Sequence, residues 1–339
     1  MFYASAMDLF ALTRKLIDIE STTGMEAAVG RALADELTHL GYRVEHMPVE
    51  GERVNIWATH PDHPRPQLAF STHMDTVPPF IPSSETEERI YGRGSCDAKG
   101  IIVAQIAAAE KLKAEGIHVG LLFLVGEERD SQGAHTANQQ PKGVQFLING
   151  EPTENRLALA SKGTLRVEAV ARGRMAHSAY PELGESAIEK LLDALQEVRK
   201  LKLPANPKAG PCTLNIGQIE GGRAPNVIPD RAVAQLLFRL VGPADELRSQ
   251  IAAALAGKAE ANFKLEIPYM ELGTVPGIET MVAAFTTDIP ALTRWGRPLL
   301  IGPGSIHVAH TEGEYIEKKQ MLDAIELYVQ IARQLLGRN

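Results

Sequence analysis

The sequence predicts an α/β protein with two parts: a larger domain, in which helices flank a mixed sheet, and a smaller inserted domain. Three observations support this. Short apolar runs of strand length alternate with helical periodicity in the first half of the chain. A different rhythm of elements begins near Gly163. The alternation of strand and helix resumes after about residue 277.

The first half predicts helices and strands in turn. Asp8 and Arg14 interrupt the apolar residues of 1–17, which is typical of an amphipathic helix rather than a signal peptide. A second helix runs from about Val29 to Leu40, and Gly41 ends it. Strands are expected at 42–48, 53–59, 67–72, 119–125 and 144–148, with a proline-rich turn at 61–66 and an alanine-rich helix at 99–114.

The middle of the chain has the order βαββαβ. The expected elements are a strand (164–172), a helix (185–200), two strands (213–219 and 231–240), a helix (244–255) and a strand (263–269). This order is typical of a ferredoxin-like sandwich. We therefore divide the chain into a discontinuous domain, 1–163 and 277–339, and an inserted domain, 164–276. The discontinuous domain resumes with 280–292 and 298–301.

Composition excludes several classes of protein. The 339 residues are 44% apolar and 23% charged, which excludes disorder and collagen. A formal charge of -7 gives no positive field for a phosphate backbone, so we expect no nucleic-acid partner. The longest apolar stretches fall short of a bilayer span, so we expect no membrane segment. Two cysteines, Cys96 and Cys212, do not make a disulfide framework and favour a reducing cytoplasm.

Two apolar strands lead into chemically active side chains. His73 and Asp75 are two apart on extended backbone, so they share one face. A carboxylate can hold the second nitrogen of a metal-bound imidazole, although such pairs also occur as plain strand-end contacts. Glu127 and Glu128 follow the strand 119–125, and adjacent like charges indicate either a metal ion or a solvated strand end.

Three more residues complete a candidate metal-ligand set. Asp97 lies in a glycine-rich segment where a helix cap is the plainer interpretation, and that segment lacks the full phosphate-loop pattern. Glu151 follows another apolar strand, and His310 lies among turn residues. If the sheet brings these side chains to one edge and one carboxylate bridges, they suffice for two metal ions. Glu127 then stays unligated and can act as a general base. The set is His73, Asp97, Glu128, Glu151 and His310.

Five segments resemble, in order and approximate spacing, motifs of the M20 family of metallopeptidases and deacylases, specifically its acetylornithine deacetylase and succinyl-diaminopimelate desuccinylase branch. They are HMD at 73–75, GRGSCDAKG at 92–100, GEE at 126–128, GEP at 150–152 and GPGSIHVAH at 302–310. The resemblance covers nearly the whole chain. It implies a catalytic domain that holds two Zn²⁺ ions, with Co²⁺ as an alternative metal.

The resemblance also implies roles for single residues. His73, Asp97 and Glu151 would hold one metal ion, and Asp97, Glu128 and His310 the other, with Asp97 as the bridge. Asp75 would orient His73. Glu127 would take a proton from the attacking water and pass it to the leaving amine.

The inserted domain carries the remaining resemblance, to a lid and dimerisation domain. In GRMAHSA (173–179), His177 would reach the partner subunit's site and stabilise the oxyanion, although a surface or capping histidine is the alternative. Asn226 and Arg239 would bind a substrate carboxylate, the alternative being a turn asparagine and an exposed strand arginine. Met175, and Thr286 where the family often has glycine, depart from the pattern and bear on the substrate pocket.

The resemblance implies an amidohydrolase that removes a small acyl group, acetyl first, from the α-amine of an amino acid such as ornithine. The same centre could serve a desuccinylase, an N-acetyl-lysine or N-acetyl-citrulline deacetylase, or an M20 dipeptidase, because amide hydrolysis is common to all of them. A non-catalytic metal-binding homologue is disfavoured by the presence of Glu127, and a two-metal phosphoesterase finds no support in residues 173–179. We expect a homodimer formed through the inserted domain.

Overall fold

The computed structural model describes residues 8–338, and its helices agree with most of the predicted ones. Helix α1 begins at Asp8, whose carboxylate accepts the N–H of Ala11 at 3.0 Å. The first seven residues of the helix expected over 1–17 lie outside the described residues. The eighteen-residue helix α7 and the short helix α4 were not predicted. The α-helices are α1 Leu9–Ile17, α2 Ala27–His39, α3 Gly100–Ala114, α4 Gln132–Gln139, α5 Ala187–Lys200, α6 Asp245–Leu255 and α7 Lys318–Leu335.

The longer strands overlap the predicted runs, whereas the short strands β4, β5, β8, β10, β11, β15 and β18 were not predicted. They are β1 Arg43–Glu50, β2 Arg53–Thr59, β3 Leu68–His73, β4 Ser84–Glu85, β5 Arg89–Tyr91, β6 Gly120–Leu124, β7 Phe146–Asn149, β8 Leu157–Ser161, β9 Gly163–Arg172, β10 Ala205–Asn206, β11 Gly210–Pro211, β12 Thr213–Gly221, β13 Arg231–Leu240, β14 Glu260–Ile267, β15 Met270–Glu271, β16 Thr280–Ala283, β17 Arg297–Leu300 and β18 Tyr315–Glu317.

A six-stranded sheet organises the first of two compact units, which comprises the described residues of Met1–Leu159, Leu272–Met281 and Thr287–Asn339. Its strand order is β1-β2-β6-β3-β7-β17. Strands β6, β3, β7 and β17 run parallel, whereas β1 pairs antiparallel with β2, and β2 pairs antiparallel with β6. The predicted mixed sheet of an α/β protein is therefore confirmed.

Both faces of this sheet are covered, as the continuous apolar sequence of β6 requires. Leu121 and Phe123 point to one face and join the core that residues of α1, α2, α3 and α7 complete. Leu122 and Leu124 point to the other face and pack with residues of α4, Trp57 and Trp295. Because the parallel strands are buried on both sides, polar side chains become accessible only where the strands end.

The second compact unit comprises Ala160–Glu271 and Val282–Thr286. Its four-stranded sheet has the order β12-β13-β9-β14, with every neighbouring pair antiparallel. Helices α5 and α6 cover one face. The predicted boundary at 276 differs, because the segment after Met281 returns to this unit: the Lys162 N–H donates to Ala283 O at 2.9 Å, and Ser161 Oγ to Phe285 O at 2.9 Å.

Among residues 8–338, no helix has the length and apolar character needed to cross a membrane.

Candidate metal centre

The ends of three parallel strands position most of the predicted site residues. His73 is the last residue of β3 and lies opposite Leu124, the last residue of β6. Glu127 follows β6 by three residues, and Glu151 follows β7 by two. Parallel strands put their carboxyl ends at the same edge of the sheet, where ligands collect in α/β proteins. The structure thus brings these side chains to one edge.

Asp97 lies between two histidines. Its Oδ1 is 3.0 Å from His73 Nε2, and its Oδ2 is 3.3 Å from His310 Nε2. His310 Nε2 is also 2.9 Å from Glu128 Oε1. Each oxygen of one carboxylate therefore faces a different imidazole, which is the arrangement that a bridging ligand needs. Asp97 does not cap α3, because that helix begins three residues later, at Gly100, and has no side-chain cap.

Two three-residue groups around Asp97 have the spacing of metal ligands. In each group, one ligand atom per residue lies within 4.8 Å of the others: His73, Asp97 and Glu151 form the first group, and Asp97, Glu128 and His310 the second. Glu151 Oε1 is buried and makes no hydrogen bond, so a cation would satisfy it. Imidazole nitrogens with carboxylate oxygens suit zinc, so the residues fit a two-metal centre.

The titrations of these groups reflect a buried cluster of carboxylates. Burial raises the pKa of Glu127 well above its usual range, and the charge of Glu151 raises it further. Burial likewise raises the pKa of Glu151. Burial alone would lower the pKa of His73, but hydrogen bonds with Asp75 and Asp97 outweigh it and hold that pKa well above 6.5. Concentrated negative charge of this kind is typical of a site for cations.

Asp75 has a wider structural role than the predicted one. His73 Nδ1 is 3.0 Å from the backbone oxygen of Asp75 and 3.5 Å from its carboxylate Oδ1, so the carbonyl is the nearer acceptor for the ring. The carboxylate instead accepts the N–H groups of Glu127 and Glu128 at 3.0 and 3.2 Å, and the Thr23 hydroxyl at 2.8 Å. Asp75 therefore holds the turn that presents both glutamates.

Glu314 holds the backbone at Asp97, and the sequence did not predict this role. This buried carboxylate accepts the N–H groups of Gly94, Cys96 and Asp97 at 3.0, 3.1 and 3.1 Å, and it pairs with the buried Arg93. It thereby fixes the backbone of the turn that carries Asp97. The sequence signal is weak, because Glu314 lies in a polar segment that resembles any exposed loop.

Asp288 is a second buried carboxylate that sequence analysis did not single out. Its side chain is 1% exposed, and neither oxygen makes a hydrogen bond among the described residues. Burial raises the pKa of Asp288 to about 7, against a smaller opposing effect of Ser131. The charge of Asp288 also raises the pKa values of Glu127 and Glu151.

Three predicted residues lie in the second unit. His177 is exposed, and its Nδ1 accepts the Ala179 N–H at 3.1 Å. Asn226 is exposed, and its backbone oxygen accepts the Ser178 N–H at 3.0 Å. Arg239 is partly buried and donates to Thr164 Oγ1 at 2.9 Å, and within the described residues no carboxylate pairs with it. Their predicted roles toward substrate stay predictions.

Comparison with known proteins identifies the family. Residues 69–334 match the family model described as peptidase family M20/M25/M40. This chain belongs to that family. The matched range includes all of the candidate metal ligands. The M20 membership expected from the sequence motifs is confirmed.

The names of curated relatives do not point to the branch of the family that the motifs resemble. A protein of Aspergillus fumigatus named a probable carboxypeptidase is 38% identical over 389 residues, covering 99% of this chain and 88% of the relative. A protein of Schizosaccharomyces pombe named as containing a peptidase M20 domain is 37% identical over 334 residues, covering 95% and 83%. Neither name supports the acetylornithine deacetylase and desuccinylase branch.

Solved M20 structures share the fold. An aminopeptidase PepT of Bacillus cereus superposes with a TM-score of 0.81 at 21% identity, covering 97% of this chain and 98% of that one. A Bacillus subtilis protein described as a dinuclear metal-binding M20 peptidase gives a TM-score of 0.71 at 15% identity, covering 98% of both. The α/β fold is thus that of M20 peptidases.

Proposed function

We propose that this protein is a two-metal hydrolase that cleaves a linear amide bond on the nitrogen of an amino acid. The main support for this proposal is the position of Asp97. One of its carboxylate oxygens lies toward His73 and the other toward His310. Glu127 lies beside this arrangement, outside both ligand groups. A bridged pair of sites with a spare carboxylate is suited to hydrolysis.

His73, Asp97 and Glu151 would hold one zinc ion, and Asp97, Glu128 and His310 the other, with Co²⁺ as an alternative metal. When bound, such ions lower the pKa of water and polarise the scissile carbonyl. The chain contributes rigidity: Asp75 fixes the Glu127–Glu128 turn, and Glu314 fixes the backbone at Asp97. Ligands held in this way need little rearrangement when the metals bind.

Glu127 is the proposed general base. Burial and the charge of Glu151 raise its pKa, so that it is a better proton acceptor than an exposed glutamate. Glu127 takes a proton as water attacks the amide carbon, and it returns that proton to the amine as the carbon–nitrogen bond breaks. The products are a carboxylic acid and an amino acid.

The proposal also concerns the acyl group that is removed from the amino acid. The motif segments favour a small N-acyl group, acetyl first, on an amino acid such as ornithine. The 38% identical relative named a probable carboxypeptidase favours a second candidate, in which the acyl group is itself an amino-acid residue. Both substrates present a free α-carboxylate, and Arg239, which has no acidic partner among residues 8–338, is suited to bind it. His177 and Asn226 are the proposed further contacts, to the oxyanion and the carboxylate.

The test is amine release from a panel of N-acetyl amino acids, N-succinyl amino acids and dipeptides, with chelator-stripped protein reconstituted with zinc or cobalt. We expect turnover only in the reconstituted protein. Preference for N-acetyl substrates supports deacetylation, and preference for dipeptides supports the peptidase alternative. Failure of every substrate, with two metals bound, would contradict the proposed hydrolase.

Glu127→Gln provides the residue-level test. We expect kcat to fall by about 10²–10⁴ while bound metal and KM stay close to wild type, because the variant removes a proton acceptor but no ligand. Glu87→Gln, an exposed carboxylate in the same unit, is the matched control and should retain full activity. Equal activity of the two variants would exclude Glu127 as the base.

We further propose that the protein is a homodimer formed through the second unit. Strand β12 pairs only with β13 in its sheet, and Ile219 on β12 is 53% exposed. An edge strand with exposed apolar side chains is suited to pairing with a second copy. Sedimentation should show a dimer that Ile219→Asp weakens, and a monomer for the wild type would refute this arrangement.

A further inference from the structure

Three histidines meet at the opposite edge of the six-stranded sheet from the metal centre. His60 directly follows β2, His63 lies in the proline-rich turn after it, and His118 lies two residues before β6. Because β2 and β6 are antiparallel, with Ala58 opposite Leu121, the end of β2 meets the start of β6. The five residues of β6 separate this edge from the other by roughly 17 Å at about 3.3 Å per residue.

The three rings are in direct contact. The ring centroids of His63 and His118 are 4.0 Å apart with an interplanar angle of 12°, and those of His60 and His118 are 4.3 Å apart. One nitrogen from each of the three residues lies within 4.8 Å of the other two. Four-coordinate zinc with bonds of 2.0–2.1 Å needs ligand nitrogens about 3.3 Å apart. Stacked rings hold their lone pairs in parallel planes, so binding one ion requires the exposed His63 side chain to rotate out of the stack.

A nitrogen of His118 is ready to bind a cation. Its Nδ1 is buried and makes no hydrogen bond to any of residues 8–338, although His118 as a residue is only partly buried. Burial lowers the pKa of His118, and His63 and His60 lower it further, so the ring is neutral at pH 7 and keeps its lone pair. A buried nitrogen without a hydrogen-bond partner is costly unless something binds there.

The other two histidines are also available. His63 makes no side-chain hydrogen bond or ion pair among the described residues beyond its ring contacts. His60 Nδ1 accepts the Asp62 N–H at 3.2 Å, which leaves Nε2 free. Binding a metal through Nε2 moves the ring proton to Nδ1, so this long hydrogen bond is given up on binding. Asp62 places a carboxylate nearby as a counter-charge, since it raises the pKa of His118.

We propose that His60, His63 and His118 form a third metal site, distinct from the catalytic centre. Three imidazole ligands without a carboxylate suit borderline divalent cations such as Zn²⁺, Ni²⁺ or Cu²⁺, rather than Mg²⁺ or Ca²⁺. A bound ion would join the turn after β2 to the segment before β6. Its role is structural, because the catalytic strand ends lie at the other edge of the sheet.

The test counts metal ions. The chelator-stripped protein is titrated with Zn²⁺, and bound metal is measured by native mass spectrometry and elemental analysis. We expect three equivalents for wild type and two for His63→Gln and for His118→Gln. His135→Gln, which changes an exposed histidine elsewhere in the same unit, is the matched control and should bind three equivalents of zinc. His310→Ala should lose a metal from the catalytic centre and keep the third site.

Cu²⁺ supplies a second measurement. In wild type, the third equivalent should give an electron paramagnetic resonance signal split by several nitrogens, and His118→Gln should abolish it while its circular dichroism stays that of a folded protein. Two equivalents in wild type would overturn the proposal. Three equivalents in both His63→Gln and His118→Gln would overturn it equally. Since neither residue touches the catalytic centre, both variants should keep wild-type amide hydrolysis with two metals bound.

Discussion

Replacing Glu314 with alanine should weaken metal binding without removing any ligand. Glu314 accepts three backbone N–H groups, including that of Asp97, and pairs with Arg93, whose side chain is 2% exposed. Each hydrogen bond to a charged acceptor contributes about 1.5–3 kcal/mol, and these contributions do not add. The larger effect is on Arg93, because an uncompensated buried charge costs about 3–5 kcal/mol. We therefore expect a loss of about 3–5 kcal/mol in unfolding free energy for the first unit.

The same change frees the backbone that presents Asp97 to both metals. Losing such support for a ligand typically costs about 10–100-fold in metal affinity. Competition against a zinc-binding dye measures this affinity, and urea denaturation measures the stability. Glu312→Ala removes an exposed carboxylate two residues away and should change neither quantity. Glu314→Gln keeps the shape but loses the charge, so it should bind zinc with intermediate affinity. Glu314→Ala with the zinc affinity and stability of Glu312→Ala would refute the reasoning.

Three further predictions concern the same centre. Asp75→Asn should lower kcat by about 10–100-fold with little change in KM, because a neutral amide holds the Glu127–Glu128 turn less firmly. Steady-state kinetics measures both constants, and a rise in KM alone would contradict this prediction. Bonds to Asp97 and Glu128 raise the pKa of His310 to about 10 in the metal-free protein, so zinc must displace a proton. Zinc affinity should therefore rise at least tenfold per pH unit from roughly pH 6 to 8, and calorimetry showing a pH-independent affinity would refute this. Burial raises the pKa of Asp288 from 3.8 to about 7. Between pH 3.8 and about 7, the folded metal-free protein therefore keeps a proton that the unfolded chain has lost. The free energy of unfolding falls as the pH rises through this range. Asp288→Asn should remove that loss and stabilise the metal-free protein by up to about 4 kcal/mol at pH 8 but not at pH 4, as urea unfolding at both values would show.

The sequence predicted the parts of the centre that local patterns encode. His73, Glu128 and Glu151 follow apolar strands, and the carboxyl ends of parallel strands converge whatever the rest of the chain does. Asp97 could be assigned only jointly with the other four residues, because a carboxylate before a helix is by itself more often a cap, and only the fold brings it between two histidines. The broad α/β class followed from strand and helix periodicity in the same way.

Tertiary contacts supplied what the sequence did not show. Glu314 and Asp288 lie in segments without regular periodicity, yet the fold buries both side chains. His63 lies in the predicted turn 61–66, and His118 becomes the neighbour of His60 and His63 only through the antiparallel pairing of β2 with β6. Helix α7 was missed although its apolar residues recur at helical spacing. Residues Val282–Thr286 likewise belong to the second unit because they form hydrogen bonds with its residues, which their composition does not reveal.

The two kinds of metal site differ in charge, and this difference predicts the order in which they fill. In the catalytic centre, three ligand carboxylates offset most of the charge of two divalent ions, and Glu127 and Asp75 add further negative charge nearby. The His60–His63–His118 site offers three imidazoles and no carboxylate ligand, with Asp62 as a nearby counter-charge. Coulombic attraction therefore favours the catalytic centre, where burial also weakens screening by salt. The first two equivalents of Zn²⁺ should restore full activity, and the third should bind more weakly without changing it.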